Sequence, residues 1–133
     1  MPELSALIER LEKASGPDDA LNREVCIAAG VVPRIEAPFN AAGEGVEVYP
    51  PVMWSIDAAL AFVERVLPGS YWRVARHEPQ LARLPGSGPF WASVGAPGEQ
   101  EGAWGNTAPL AILIASLKAL QEREGEGRAT DML

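Results

Sequence analysis

Apolar residues at Leu4, Leu7, Ile8 and Leu11 recur at i, i+3, i+4 and i+7, which predicts a helix over residues 4–14 with one buried stripe. Glu9 and Lys13 form an i,i+4 pair on its outer side. Ser15-Gly16-Pro17 stops it, with Gly suited to the left-handed cap and Pro following. Asp18 or Asp19 then caps a second helix reaching about Ala29, with Leu21, Val25, Ile27 and Ala28 on its apolar side and Gly30 at its end. Two short helices joined by a tight turn make an αα-hairpin.

The pattern changes over residues 31–53. Val31, Val32, Ile35 and Phe39 fit a short strand, and Val46-Glu47-Val48-Tyr49 alternates as a strand does, with an exposed tip expected at Gly43-Glu44-Gly45. Prolines at 38, 50 and 51 keep any strand here short or at an edge. A third helix follows, capped by Ser55, with Asp57 in its first turn where negative charge suits the helix dipole. Its predicted stripe is Ile56, Leu60, Val63 and Leu67, and Pro68-Gly69 ends it.

Tyr71 to Arg76 alternates as a strand, Leu81 to Gly88 reads as a loop, and Pro89 to Val94 reads as a partner strand. Trp72 and Trp91, on these two strands, are expected in the core. Gly95 to Gly105, rich in Gly and Glu, reads as an exposed loop. Thr107 caps the last helix. Leu110, Leu113, Ile114, Leu117 and Leu120 give it a 3.6-residue stripe, and Ile112 and Ala115 make it apolar on more than one side. It should therefore be the central, most buried helix. The order is α-α-β(β)-α-β-β-α: an α/β (α+β) chain with helices packed on a small mixed or antiparallel sheet.

Several of these segments resemble one family. They are Leu7-Ile8-Glu9-Arg10-Leu11-Glu12 followed by Gly16-Pro17-Asp18 and Leu21-Asn22, then Ser55-Ile56-Asp57-Ala58-Ala59-Leu60 and Tyr71-Trp72-Arg73-Val74. The last is Thr107-Ala108-Pro109-Leu110-Ala111-Ile112 through Leu117-Lys118-Ala119-Leu120. Across most of residues 4–120 the chain is similar to the phage ABA sandwich domain, small proteins of phages and prophages. The resemblance implies a three-layer α/β/α sandwich. It implies no activity and supplies no catalytic residue.

A length of 133 residues fits one domain, placed at 1–121, and the run Glu122-Arg123-Glu124-Gly125-Glu126-Gly127 opens an expected flexible acidic tail over 122–133. The net charge of −7 argues against direct binding to nucleic-acid backbones or to an anionic membrane surface, both of which need Lys and Arg. No apolar run approaches the ~20 residues that cross a bilayer. The amino-terminal residues, with Glu3 and Glu9, do not read as a signal peptide. With a single cysteine, Cys26, in an apolar helical stretch, the expected location is the host-cell cytoplasm.

Chemistry is mostly missing. His77 is the only histidine, so no all-N/S zinc site forms within one chain, and no cofactor is expected. Gly86-Ser87-Gly88 lacks the Lys and helix of a phosphate loop, and no Gly-x-Ser-x-Gly elbow exists. Two binding readings remain. In the first, Trp54 and Trp104, with Glu99 and Glu101 of the 95–105 segment, contact a host or phage protein, one such role being inhibition of a host defence system. In the second, Arg65, Arg73, Arg76, His77 and Arg83, opposed only by Glu78, receive an anionic ligand as a binder or minor enzyme. A homodimer is a third reading.

Overall fold

The computed structural model describes residues 4–37, 39–76, 88–96 and 98–131, with backbone alone for Glu101 and residues 124–131. Helix α1 (Leu4–Lys13) buries the whole predicted stripe of Leu4, Leu7, Ile8 and Leu11. Asp18 starts α2 (Asp19–Ala28) by accepting the Leu21 N–H at 2.8 Å, and Gly30, with φ +78°, turns the chain out of it. Strands β1 (Arg34–Glu36) and β2 (Val46–Val48) pair antiparallel as a hairpin of their own, Ile35 opposite Glu47. Ser55 caps α3 (Ile56–Val66), accepting the Ala58 N–H at 3.0 Å. Strands β3 (Tyr71–Arg76), β4 (Phe90–Ala96) and β5 (Glu99–Gly105) form an antiparallel sheet in that order. Thr107 caps α4 (Ala108–Asp131), accepting the Leu110 N–H at 3.2 Å.

The expected class is what the chain adopts: helices packed on a small antiparallel sheet. The middle layer is α4. On one side it meets the sheet through Ala92, Val94 and Ala103. On the other it meets α1 and α3. Every residue from Leu110 to Leu117 is inaccessible to solvent, Ser116 included, whose hydroxyl donates to the Ile112 carbonyl at 2.7 Å. Each buried Leu or Ile there contributes about 1.5–3 kcal/mol relative to exposure. α1 runs antiparallel to α4 and is tied to it at both ends. Asn106 Nδ2 donates to the Ala14 carbonyl at 2.7 Å, and Gln121 Nε2 donates to Ser5 Oγ at 2.6 Å.

A polar clamp holds the turn between the hairpin and α3. Asn22, on α2 and 5% exposed, donates to the Pro50 carbonyl at 3.0 Å and accepts the Met53 N–H at 3.2 Å. The turn places Val52 and Met53 in the core.

Four expectations need correction. The 95–105 segment is not an exposed loop: most of it is β5, the far edge of the sheet. Its glycines disguised it, yet two have packing reasons. A Cβ on Gly102 would lie 3.1 Å from the Trp91 indole nitrogen, and one on Gly105 would lie 2.6 Å from the Ala111 backbone nitrogen on α4. Ile56 is not in the α3 stripe. It is 45% exposed, while Phe62, one turn beyond Ala59 on the helix face turned to the core, is buried in its place. Ile27 of α2 is likewise exposed, because Cys26 and Val25 take the inward positions. Trp72 is on the edge strand and 42% exposed, so the core does not hold it. Apart from these four, the helical backbone of α4 extends past Gln121 to Asp131.

Candidate protein-binding surface

The densest exposed apolar surface among the described residues lies on the β1–β2 hairpin. Val32, Ile35, Phe39 and Val46 are each 46–73% exposed, and Ile27 of α2 lies exposed in the sequence leading up to them. Neither strand exceeds three residues, and the hairpin makes no broad contact with α4 or the larger sheet. It is an arm. Ile35 and Phe39 pack over its own backbone at Gly45, where an added Cβ would meet the Ile35 Cγ2 at 2.3 Å and the Phe39 ring at 3.0 Å.

A two-stranded hairpin is marginal by itself, so its order comes from elsewhere. At the tip, Asn40 Oδ1 accepts the N–H groups of Ala42 and Glu44, both at 2.9 Å, and the Asn40 N–H donates to the Glu44 carbonyl at 2.9 Å. This is the self-bonding by which Asn stabilises tight turns. Gly43, at φ +81°, supplies the left-handed residue the turn requires. At the foot, Arg23 of α2 reaches Glu47 at 3.8 Å, and Asn22 fixes the strand exit through Pro50. The pair Arg34–Glu36, at 2.5 Å, lies along β1. These pairs are exposed and contribute little stability; in the ladder Arg34 and Glu36 share one face with Val48 and Val46, and Ile35 shares the other with Glu47.

The residues singled out from the sequence do not gather on one patch. Trp54 is 46% exposed beside Ile56 at the head of α3. Trp104 is half-buried on β5, opposite Trp91, on the sheet face turned away from α4. Glu99, exposed, falls on the alternate positions of that strand, whose face turns toward α4, and the Glu101 backbone pairs with Val94. Glu99 borders a cavity of about 580 Å³ with Gly95, Ala119, Glu122 and Arg123. The arginines separate too. Arg73 sits opposite Ser93 and Arg76 opposite Phe90, three residues apart on one strand and therefore on opposite faces of the sheet. Arg65, on α3, joins Arg34 instead, at a groove of about 470 Å³ beside the foot of the arm. His77 and Arg83 lie outside the described residues.

The sequence predicts the short strands and the exposed tip of the arm, but not that Val32, Ile35, Phe39 and Val46 all stand exposed on and beside it. The available signal was the density of prolines, at 33, 38, 50 and 51, which leaves room only for three-residue strands with no third strand to cover them. Cys26 is fully buried under the same turn. Burial pushes its thiol up to about 11, against the opposing pull of the Arg65 charge, so it is no nucleophile at neutral pH. No helix among the described residues is long and apolar enough to cross a membrane.

No protein family and no curated protein matches the sequence. Among solved structures, the chain is similar to a phage protein from Bacillus cereus, at 21% identity and a TM-score of 0.49 over 79% of this chain and 92% of that one.

Proposed function

We propose that this chain is a phage- or prophage-type accessory protein that acts by docking a partner protein, and that the β1–β2 arm is the docking element. The observation that carries the docking is the arm itself: Val32, Ile35, Phe39 and Val46 stand 46–73% exposed on and beside a hairpin whose tip is hydrogen-bonded into one shape. Exposed apolar groups of this kind, presented without an ordering cost on binding, mark interaction surfaces. The exposed Trp54–Ile56 pair at the head of α3 is a second contact. The phage-type half of the reading rests on the sequence resemblance. Inhibition of a host defence system is the narrower role we attach to it, with the host-cell cytoplasm as its setting.

Affinity capture from the native host, with wild type and an Ile35→Asp/Phe39→Ser variant side by side, tests the docking. Wild type retains one partner in stoichiometric yield, and the variant loses it while keeping its unfolding temperature. Equal capture by both proteins overturns the assignment of the arm. Self-association of wild type in sedimentation, abolished in the variant, replaces the foreign partner with a second copy.

A further inference from the structure

We propose that the groove between the foot of the arm and α3 binds a carboxylate carried on an apolar group. Its volume of about 470 Å³ falls within the range of small-ligand sites. Its walls are of two kinds. Val32, Val48, Tyr49 and Pro51 supply apolar surface, and Arg34 and Arg65 supply the only charged side chains among the described residues, both cationic. In a chain of net charge −7, a groove with two guanidinium groups and no carboxylate among its described lining residues is a local reversal of sign.

The floor does not neutralise it. The Pro50 carbonyl already accepts from Asn22 Nδ2 at 3.0 Å and from the Val52 N–H at 2.9 Å, and the Pro51 carbonyl accepts the Trp54 N–H at 3.2 Å. Arg65 enters no ion pair among the described residues. Arg34 gives part of its fork to Glu36 and keeps further donors. A guanidinium matches a carboxylate edge through two parallel bonds, and the proline- and valine-lined wall suits an aliphatic or aromatic body beside it. Glu36 on Arg34 lowers the local positive field, which favours a monoanion over a dianionic phosphate. The same chemistry comes from a free arylalkyl acid or from a peptide chain ending in an apolar residue. This site shares Val32 and the foot of the arm with the proposed docking surface, but its assignment does not rest on that docking.

The test is a titration followed by the arginine Nε–H and backbone amide resonances. The probes are phenylacetate, phenylacetamide, inorganic phosphate, and the tripeptide Ala-Ala-Phe with its terminus free or amidated. Saturable shifts are expected at Arg65, Arg34 and Tyr49 with phenylacetate or the free tripeptide, and none with phenylacetamide or the amidated tripeptide. Whichever of the two acids binds more tightly assigns the source, a free acid or a chain terminus. Arg65→Gln weakens binding at least tenfold without lowering the unfolding temperature, whereas Lys13→Gln on α1 leaves it unchanged. Binding of phenylacetamide as tight as phenylacetate, displacement by phosphate at equal concentration, unchanged affinity in Arg65→Gln, or no saturable shift with either acid overturns the proposal.

Discussion

Replacing Asn22 should destabilise the protein more than its two hydrogen bonds suggest, because one of its partners has no other. The Met53 N–H is buried and accepted only by Asn22 Oδ1, whereas the Pro50 carbonyl keeps the Val52 N–H at 2.9 Å and the Cys26 thiol at 3.8 Å. In Asn22→Ala the Pro50 bond is a net loss of about 1 kcal/mol, and the orphaned Met53 N–H costs about 1–3 kcal/mol. Together that is about 2–4 kcal/mol. For a chain this long it is a fall of roughly 8–16 °C in unfolding temperature, at about 4 °C per kcal/mol. Asn22→Asp sharpens the test. It preserves the acceptor for Met53 but turns a carboxylate oxygen toward the Pro50 carbonyl. Burial and that carbonyl both raise the carboxyl above its unfolded value. The protonated form, which can donate to Pro50, therefore holds its stability below the unfolded value and loses it as pH rises through the folded one. Urea unfolding at pH 4 and pH 7, with unchanged m-value, is the assay. A loss under 1 kcal/mol for Asn22→Ala, or an Asn22→Asp variant that tracks wild type at both pH values, would refute the reasoning.

Three further outcomes follow from the packing. Gly105→Ala places a Cβ 2.6 Å from the Ala111 backbone nitrogen, between β5 and α4, where nothing flexible can yield; a loss of about 2 kcal/mol or more is expected in denaturant unfolding, and wild-type stability would refute that contact. Cys26, pushed up by burial from its ordinary value of 9.0 to about 11, keeps its proton when folded. Alkaline unfolding should therefore lose about 2–3 kcal/mol of stability between pH 9 and 11 that Cys26→Ala does not lose, and native Cys26 should resist thiol reagents at pH 8 until the protein is unfolded. Removal of residues 124–133 should shift the unfolding temperature by no more than about 3 °C, because among the described residues the core along α4 reaches to Ala119 and Leu120; a larger fall in a thermal melt would place packing beyond them.

Local physics alone set much of this protein. The stripes of α1 and α4, the caps at Asp18, Ser55 and Thr107, and the position of α4 as the central helix were all legible in the sequence. Each depends on residues within a few positions of one another, so periodicity and cap chemistry suffice. Where the same residue types answer to distant neighbours, the sequence misleads. Gly102 and Gly105 lower strand propensity, and only the indole of Trp91 and the backbone of α4 explain why β5 tolerates them. Arg73 and Arg76 look like a cluster until the alternation of a paired strand sends them to opposite faces. Arg34 and Arg65 are far apart in the chain and meet at one groove. Val32, Ile35, Phe39 and Val46 carry the composition of a core, and they stand in water because no described element packs over them. Apolar character is a property of the residue. Whether it is buried or presented is decided by what packs against it.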